Sequence, residues 1–157
     1  LPRSVGHVPA YYNHKPSARR GYLFDSADPL FAFGYGQSYT TFAFTNLRLE
    51  KPEIGVSEST RVLVEVTNTG ALRGDEVVQL YIRDLVSSVT RPVKELKGFQ
   101  KVHLIPGQAV PVSFALDNRT FSTWDVSVHA WVLQHGTFTL AVGSSSRDIR
   151  AQSSITV

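Results

Sequence analysis

The 157-residue sequence predicts an all-β sandwich of about seven strands that follows an extended N-terminal tail. From about residue 41 onward, apolar and polar residues alternate in short runs, and turn residues separate these runs at intervals of roughly 8–12 residues. No stretch beyond that point combines a helical period with capping residues. This pattern is typical of immunoglobulin-like and fibronectin type III-like domains.

The predicted strands follow the alternation. In the clearest run Val62, Val64 and Val66 share one face, and Pro106-Gly107 marks a turn between two later runs. Residues 76–83 are partly apolar on both faces, which favours a central strand. A further strand is expected near residues 128–133, and the pattern leaves open whether it pairs beside the next strand. The seven main strands are predicted at 42–49, 60–68, 76–83, 93–104, 110–116, 138–142 and 155–157.

Composition argues against several classes of partner and site. The chain has no cysteine, so disulfides and thiolate metal sites are excluded, and no apolar run is long enough to cross a membrane. Its net charge is +3, but the basic residues are scattered, and the densest group, near Lys94 and Lys97, is interrupted by Glu95. We therefore expect a soluble chain without a nucleic-acid or membrane partner.

No catalytic, cofactor or metal site is predicted. The five histidines lack the spacing that places two ligands on one face of a strand or helix. Asp75 and Glu76 are adjacent, so a strand would direct their carboxylates to opposite faces. Asp25 and Asp28 have no evident partner. The serines at 144–146 lack the flanking pattern of a nucleophile elbow and are predicted to form a turn.

Residues 31–42, FAFGYGQSYTTF, are the candidate functional stretch. A dinucleotide fingerprint fails because Tyr39 stands where its third glycine belongs. The stretch could form a sugar-stacking surface or a structural joint in which aromatic rings dock onto neighbouring domains and glycines allow a close backbone path. The residues favour the joint. Its candidate residues are Phe31, Phe33, Gly34, Tyr35, Gly36 and Tyr39.

Four ordered motifs, PLFAFGYGQSYTTFAF, VEVTNTGALRGDEVVQLYIRD, RPVKELKGFQKVHLIPGQ and GTFTLAVGSSSRDIR, resemble the C-terminal portion of glycoside hydrolase family 3, the family of many β-glucosidases and β-xylosidases. The resemblance implies that residues 1–28 are the tail of an upstream α/β domain, 29–39 a linker, and 40–157 a fibronectin type III-like domain. It also implies that the aspartate nucleophile and glutamate acid/base of the retaining reaction lie upstream.

The sequence departs from the family pattern at two places. Gln37 stands where the family commonly has leucine, which indicates an exposed position or a local hydrogen bond, and Gln134-His135 replaces a common acidic-proline pair. Since the chain starts at Leu1 and has no methionine, we expect it to be a piece of a longer protein. The sequence does not fix its compartment, and a secreted or periplasmic location is compatible with it.

The expected function is therefore noncatalytic support of upstream catalytic domains, in one polypeptide or as a separate cleaved chain. The substrate of the intact enzyme would be a β-linked oligosaccharide, and no cofactor is expected. The alternative is a free-standing polysaccharide-binding or adaptor module that uses exposed aromatic residues. The candidates for that role are Tyr11, Tyr12, Tyr35, Trp124 and Trp131.

Overall fold

The structure, a computed structural model, describes residues 1–7, 11–12, 14, 26, 28–84 and 92–157. Within these ranges the regular structure consists of nine strands and one 3₁₀ turn, Asn118–Phe121, without an α-helix. The strands are β1 Phe42–Leu49, β2 Thr60–Asn68, β3 Gly74–Asp84, β4 Glu95–Leu104, β5 Ala109–Leu116, β6 Ser122–Asp125, β7 Ala130–Leu133, β8 Thr137–Gly143 and β9 Ile149–Thr156.

The strands form a two-sheet sandwich, which confirms the predicted fold class. One sheet has the order β1-β2-β5 and the other β4-β3-β8-β9, and all ladder pairs are antiparallel. Each of the seven predicted strands overlaps one of these strands, although the last, β9, begins at Ile149 and not at residue 155. β3 lies between β4 and β8, as its apolar residues on both faces indicate.

The core lies between the sheets and is built from the alternate residues of each strand. Val62, Val64 and Val66 of β2 are buried, while their neighbours in sequence are less so. Phe121 and Phe138 pack edge to face, with ring centroids 5.0 Å apart. Every member of the buried apolar cluster comes from residue 42 or later. None of the described residues before Phe42 therefore belongs to the core of the sandwich.

The short hairpin β6–β7 differs from the sequence expectation. The strand expected near residues 128–133 begins at Ala130 and pairs with the preceding segment, β6, in a separate two-stranded sheet. The 3₁₀ turn before it was also not predicted. It is fixed by a capping box in which Asp117 and Thr120 satisfy each other's backbone N–H groups. A four-residue strand is too short for alternation to mark it.

Two other sequence predictions concern turns and membrane spans. The predicted Pro106-Gly107 turn is present, with the Gln108 N–H donating to the Ile105 carbonyl at 3.0 Å and Gly107 at φ 76°. This is the backbone geometry for which proline followed by glycine is favoured. Over the residues listed above, no helix is long and apolar enough to span a membrane.

Candidate functional site

The predicted linker, residues 29–39, lies against β3 and against the loop at 144–148 between β8 and β9; we call it the aromatic joint. A turn begins it, in which the Tyr35 N–H donates to the Ala32 carbonyl at 3.1 Å. Gly34 occupies the third position of this turn with φ 78°, a conformation that favours glycine. The turn brings the Gly34 backbone directly onto β3.

Two buried polar side chains of β3 hold that turn, and we call them the Gln79–Tyr81 clamp. The Gln79 amide donates to the carbonyls of Gly34 at 3.0 Å and Ser144 at 2.7 Å, and the Tyr81 hydroxyl donates to Gln79 Oε1 at 2.5 Å. Burial raises the pKa of Tyr81 far above its usual value, with a smaller contribution from Tyr12. The clamp therefore stays neutral. It also leaves no space for a side chain at Gly34, where a Cβ atom would lie 2.0 Å from Gln79 Oε1.

A second attachment joins the N-terminal segment to the same sheet. The Phe33 carbonyl accepts from the Ser146 N–H at 2.9 Å, and the Phe33 ring stacks on Tyr12 with centroids 4.0 Å apart. The Tyr12 hydroxyl in turn accepts from the Leu96 N–H at 2.6 Å. Burial raises the pKa of Tyr12, and the hydrogen bond from Leu96 opposes that rise. This arrangement sets the N-terminal segment against β4.

The other end of the aromatic joint is fixed by Asn68, a fully buried residue of β2. Its Oδ1 accepts from Thr40 Oγ1 at 2.8 Å and from the Gly70 N–H at 3.0 Å. Its Nδ2 donates to the carbonyls of Leu72 at 2.8 Å and Leu104 at 2.9 Å. All four hydrogen bonds of one amide are thus satisfied where the joint enters β1.

The aromatic side chains of the joint face outward although its backbone is held. Phe31 and Tyr35 pack with ring centroids 5.1 Å apart. Gln37 is exposed and its amide donates to the Tyr35 hydroxyl at 3.4 Å, so both properties expected of an amide at this position are present. The exposed fractions are 39% for Phe31, 43% for Phe33, 50% for Tyr35 and 96% for Tyr39, and Gly34 and Gly36 are also exposed.

A cleft of about 520 Å³ opens beside these rings, and we call it the aromatic cleft. Its cationic side chains are Lys94 and Arg147. The Lys94 ammonium donates to the Ser146 carbonyl, and Arg147 donates to Asp28 Oδ1 at 2.6 Å. Burial and then the nearby Arg147 and Arg83 lower the pKa of Lys94. The remaining lining residues are Leu1, Tyr11, Tyr12, His14, Pro29, Phe31, Phe33, Val93 and Ser146.

Three of the acidic residues considered above, Asp28, Asp75 and Glu76, have hydrogen-bonding or ion-pair partners within the described chain. Asp75 pairs with Lys101 at 2.6 Å and with His103 at 2.5 Å, and Glu76 accepts from Ser144 Oγ at 3.0 Å. Burial raises the pKa of Glu76, while hydrogen bonds from Lys101 and then His103 hold the pKa of Asp75 below its usual value. Asp25 lies outside the described residues.

Both Asp75 and Glu76 line a second cleft, of about 280 Å³, on the other side of the joint. Ser144 lies in the loop between β8 and β9, where its N–H donates to the Asp148 carbonyl at 3.0 Å. The described part of the chain contains no group of three His, Cys, Asp or Glu residues that could hold a metal ion.

The two tryptophans of β6–β7 form a separate exposed patch. Trp124 and Trp131 are cross-strand partners with ring centroids 5.7 Å apart and an interplanar angle of 65°. The Arg119 guanidinium lies 3.0 Å from the Trp131 ring centroid. The rings therefore do not form a continuous flat surface, and a cation already covers one face of Trp131.

Sequence reasoning found the aromatic joint but missed the residues that hold it, Gln79, Tyr81 and Lys94. A usable indication existed for the first two. A central strand whose second face alternates Val77, Gln79 and Tyr81 requires partners for a buried amide and a buried hydroxyl. No comparable pattern marks Lys94, because its environment depends on loops that meet only in the folded chain.

Comparison with known proteins shows which domain family and which enzymes this chain resembles. The fibronectin type III-like domain family matches residues 76–146. A β-xylosidase from Formosa agariphila is 45% identical over 94% of this chain and 21% of its own length. A periplasmic β-glucosidase from Salmonella typhimurium is 38% identical over 96% of this chain and 21% of its own length.

The structure of a β-glucosidase from Erythrobacter marinus superimposes with a TM-score of 0.93 at 40% identity, covering 99% of this chain and 20% of that one. This chain thus spans about a fifth of the length of the proteins it matches. The chain thus matches a C-terminal fragment of a glycoside hydrolase family 3 enzyme that carries the fibronectin type III-like domain.

Proposed function

We propose that this chain is the noncatalytic part of a family 3 glycoside hydrolase and stabilises its catalytic domains by docking them onto the aromatic joint. The observation that carries the proposal is a contrast within the joint. The Gln79–Tyr81 clamp fixes its backbone, whereas Phe31, Tyr35 and Tyr39 expose 39%, 50% and 96% of their surfaces. Ordered aromatic side chains left uncovered are typical of a surface that another domain covers.

The apolar surface involved is large enough to matter energetically. An aromatic side chain presents roughly 150–250 Å². Covering a further ~100 Å² of one ring stabilises an assembly by about 2.5 kcal/mol at about 25 cal/mol per Å². Several such rings on one backbone segment, already ordered before docking, would contribute without a further entropic cost of fixing that segment.

The domain division follows the same proposal. Residues 40–157 form the fibronectin type III-like domain, residues 29–39 the joint, and residues 1–28 the tail of the preceding α/β domain. The restriction of the buried core to residues from 42 onward supports this division. Residues 1–7 contain no strand, and most of the rest of the tail lies outside the described residues.

The intact enzyme would hydrolyse β-glucosides or β-xylosides with retention, using two carboxylates supplied by the catalytic domains. Those domains would be present either in the same polypeptide or as a separate cleaved chain. A secreted or periplasmic location accords with the relative named periplasmic in Salmonella typhimurium.

The first test compares the native mass with the denatured mass of the protein purified from its source. We expect the native species to contain catalytic domains in addition to these 157 residues. The purified chain alone should show no turnover of aryl β-glucosides or β-xylosides above blank. Turnover that persists through repurification, or a native species consisting of this chain alone, would contradict the proposal.

A second candidate, polysaccharide binding, is favoured by the exposure of Trp124 and Trp131. The 65° angle between the rings and the position of Arg119 over Trp131 give it less support than the joint has. Retention of the chain on insoluble glucan or xylan, lost in Trp124→Ala but not in Tyr39→Ala, would support this candidate. Free passage of the chain over both polymers would dismiss it.

A further inference from the structure

The aromatic cleft carries more positive than negative charge. Lys94 is half-buried in it, and its ammonium donates to one backbone carbonyl, that of Ser146. Arg147 already pairs with Asp28. Glu95, the next residue after Lys94, pairs with Lys97 at 2.7 Å instead. Around Lys94 the described residues thus include two further cations, Arg147 and Arg83, and two carboxylates, Asp28 and Glu95, that already have cationic partners.

Such an arrangement is unfavourable in the chain by itself. Removing an ammonium from water costs free energy unless an opposite charge compensates it. Arg147 and Arg83 add repulsion, which together with burial lowers the pKa of Lys94. A carboxylate placed in the cleft would reverse both effects, since it would attract all three cations in a partly desolvated space.

The position of Lys94 connects this charge to the docking surface. Ser146, whose carbonyl accepts from Lys94, also donates its N–H to the Phe33 carbonyl of the aromatic joint. Phe31 and Phe33 line the same cleft as Lys94. A protein surface that covers these exposed rings must therefore also cover the mouth of the cleft.

We propose that the catalytic domains insert an aspartate or glutamate side chain into the aromatic cleft, where it pairs with Lys94 and Arg147 when the aromatic joint is covered. This inference rests on the proposed function and adds the chemistry of the contact. The exposed rings supply apolar area, and the carboxylate supplies the orientation, because an uncompensated cation in the cleft disfavours other dockings.

The test is Lys94→Met, measured by thermal unfolding in two contexts, the intact enzyme and the 157-residue chain alone. In the intact enzyme we expect the Tm to fall by at least about 2 °C, because the substitution removes one of the two cationic partners of the inserted carboxylate. In the chain alone we expect no fall, since methionine replaces a desolvated ammonium that has no carboxylate partner among the described residues. A fall in both contexts would mean that Lys94 supports the sandwich itself, and no fall in either would mean that no carboxylate is inserted. Both results overturn the inference.

Two matched variants separate this inference from the proposed function. Lys101→Met removes an ammonium that is exposed and paired with Asp75 within this chain. Its effect on the Tm should therefore be the same in the intact enzyme and in the chain alone. Tyr39→Ser removes an exposed ring and should lower the Tm in the intact enzyme only. If Tyr39→Ser lowers the Tm of the intact enzyme and Lys94→Met does not, the docking surface is supported and the inserted carboxylate is wrong. If neither acts, both proposals fail.

A free sugar acid could supply the same chemistry, and glucuronate serves as its probe. We expect glucuronate and chloride at equal ionic strength to affect the Tm of the isolated chain equally. A selective rise with glucuronate that Lys94→Met abolishes would assign the cleft to a small ligand and overturn the side-chain assignment.

Discussion

The sandwich and the aromatic joint are ordered by opposite means. In the sandwich the side chains of alternate residues meet inside, and neighbouring strands satisfy one another's backbone groups. In the joint a few hydrogen bonds from β3 and from Ser146 hold the backbone, while the large side chains face away from the chain. The sandwich is thus stable by its own burial, whereas the joint, in the function we propose, is ordered in advance for another surface.

A single strand, β3, supplies both regions. Val78, Leu80 and Ile82 enter the core, and the intervening Gln79 and Tyr81 form the clamp. Substitutions on the two faces of this strand should therefore have separable consequences. Changes on the inner face should reduce the stability of the whole sandwich, and changes on the clamp face should release the joint first.

The largest expected effect is that of Leu80→Ala on the inner face. Leu80 is fully buried, so truncation leaves a cavity, and we expect the free energy of unfolding to fall by about 2–5 kcal/mol. Urea unfolding of the isolated chain measures it. Val128→Ala, at a residue that is 60% exposed, is the matched control and should change stability by less than about 0.5 kcal/mol. A loss below 1 kcal/mol for Leu80→Ala would mean that the sandwich is not held by this core.

The same division sets how much the sequence could predict. All seven strands of the two sheets could be located from the sequence, because strands such as β2 and β5 bury every second residue and so carry their own pattern. The start of β9 was missed, since its only buried residue is Ile155. The pairing of β7 with β6 was not predictable in this way. That hairpin is set by the capping box at Asp117 and Thr120 and by a cross-strand tryptophan pair, which are local contacts without a period.

The joint was predictable in composition and not in attachment. Its aromatic residues and glycines stand out in the sequence, and Gly34 does adopt the backbone conformation that excludes most side chains. The clamp is different, since Gln79 and Gly34 are 45 residues apart and nothing in either local sequence announces the contact. Lys94 and Ser146 are 52 residues apart, so their contact could not be read from the local sequence either.

Gly34→Ala is the second largest expected effect and acts on the joint alone. The new Cβ would collide with Gln79 Oε1 at 2.0 Å and would also strain a backbone at φ 78°. We expect a loss of about 2–3 kcal/mol in the local stability of the joint, limited because the joint can detach while the sandwich stays folded. Hydrogen exchange at the Ser146 and Tyr35 amides reports it.

Gly36→Ala is the control for this prediction. A Cβ there meets nothing within 4 Å, so amide exchange in the joint should remain unchanged. If the core and the joint of Gly34→Ala unfold at the same denaturant concentration, the two regions form one cooperative unit and this prediction is wrong.

Tyr81→Phe should have a smaller effect on the clamp. It removes the hydroxyl that donates to Gln79 Oε1 and leaves a buried acceptor without that donor, which costs about 1–3 kcal/mol. We expect faster exchange at the Ser146 amide and a modest fall in the urea midpoint. Tyr35→Phe, at a half-exposed ring, should change neither. An unaltered Tyr81→Phe variant would mean that water replaces the lost donor.

The smallest expected effect is the pH dependence conferred by Glu76 of β3, which accepts a hydrogen bond from Ser144 Oγ. Burial raises the pKa of Glu76 in the folded chain, so the folded state binds the proton more tightly than the unfolded state does. Stability therefore falls as the pH rises through the unfolded and then the folded pKa, and the cost of the charged form is fully present at neutral pH.

Glu76→Gln should remove this cost, raising stability at pH 7 by a fraction of a kcal/mol and leaving it unchanged at a pH well below 4, where the carboxyl is protonated in both states. The amide can keep both contacts, since its oxygen can accept from the Val77 N–H and its NH₂ can donate to Ser144 Oγ. Glu58→Gln is the control of opposite sign, because the Gly55 N–H and then Lys51 lower the pKa of that exposed carboxylate. Urea midpoints across pH 3–7 for both variants measure the difference. If Glu76→Gln destabilises the chain at pH 7, the hydrogen bond from Ser144 outweighs burial, and the charged form of Glu76 is part of what holds the loop beneath the aromatic joint.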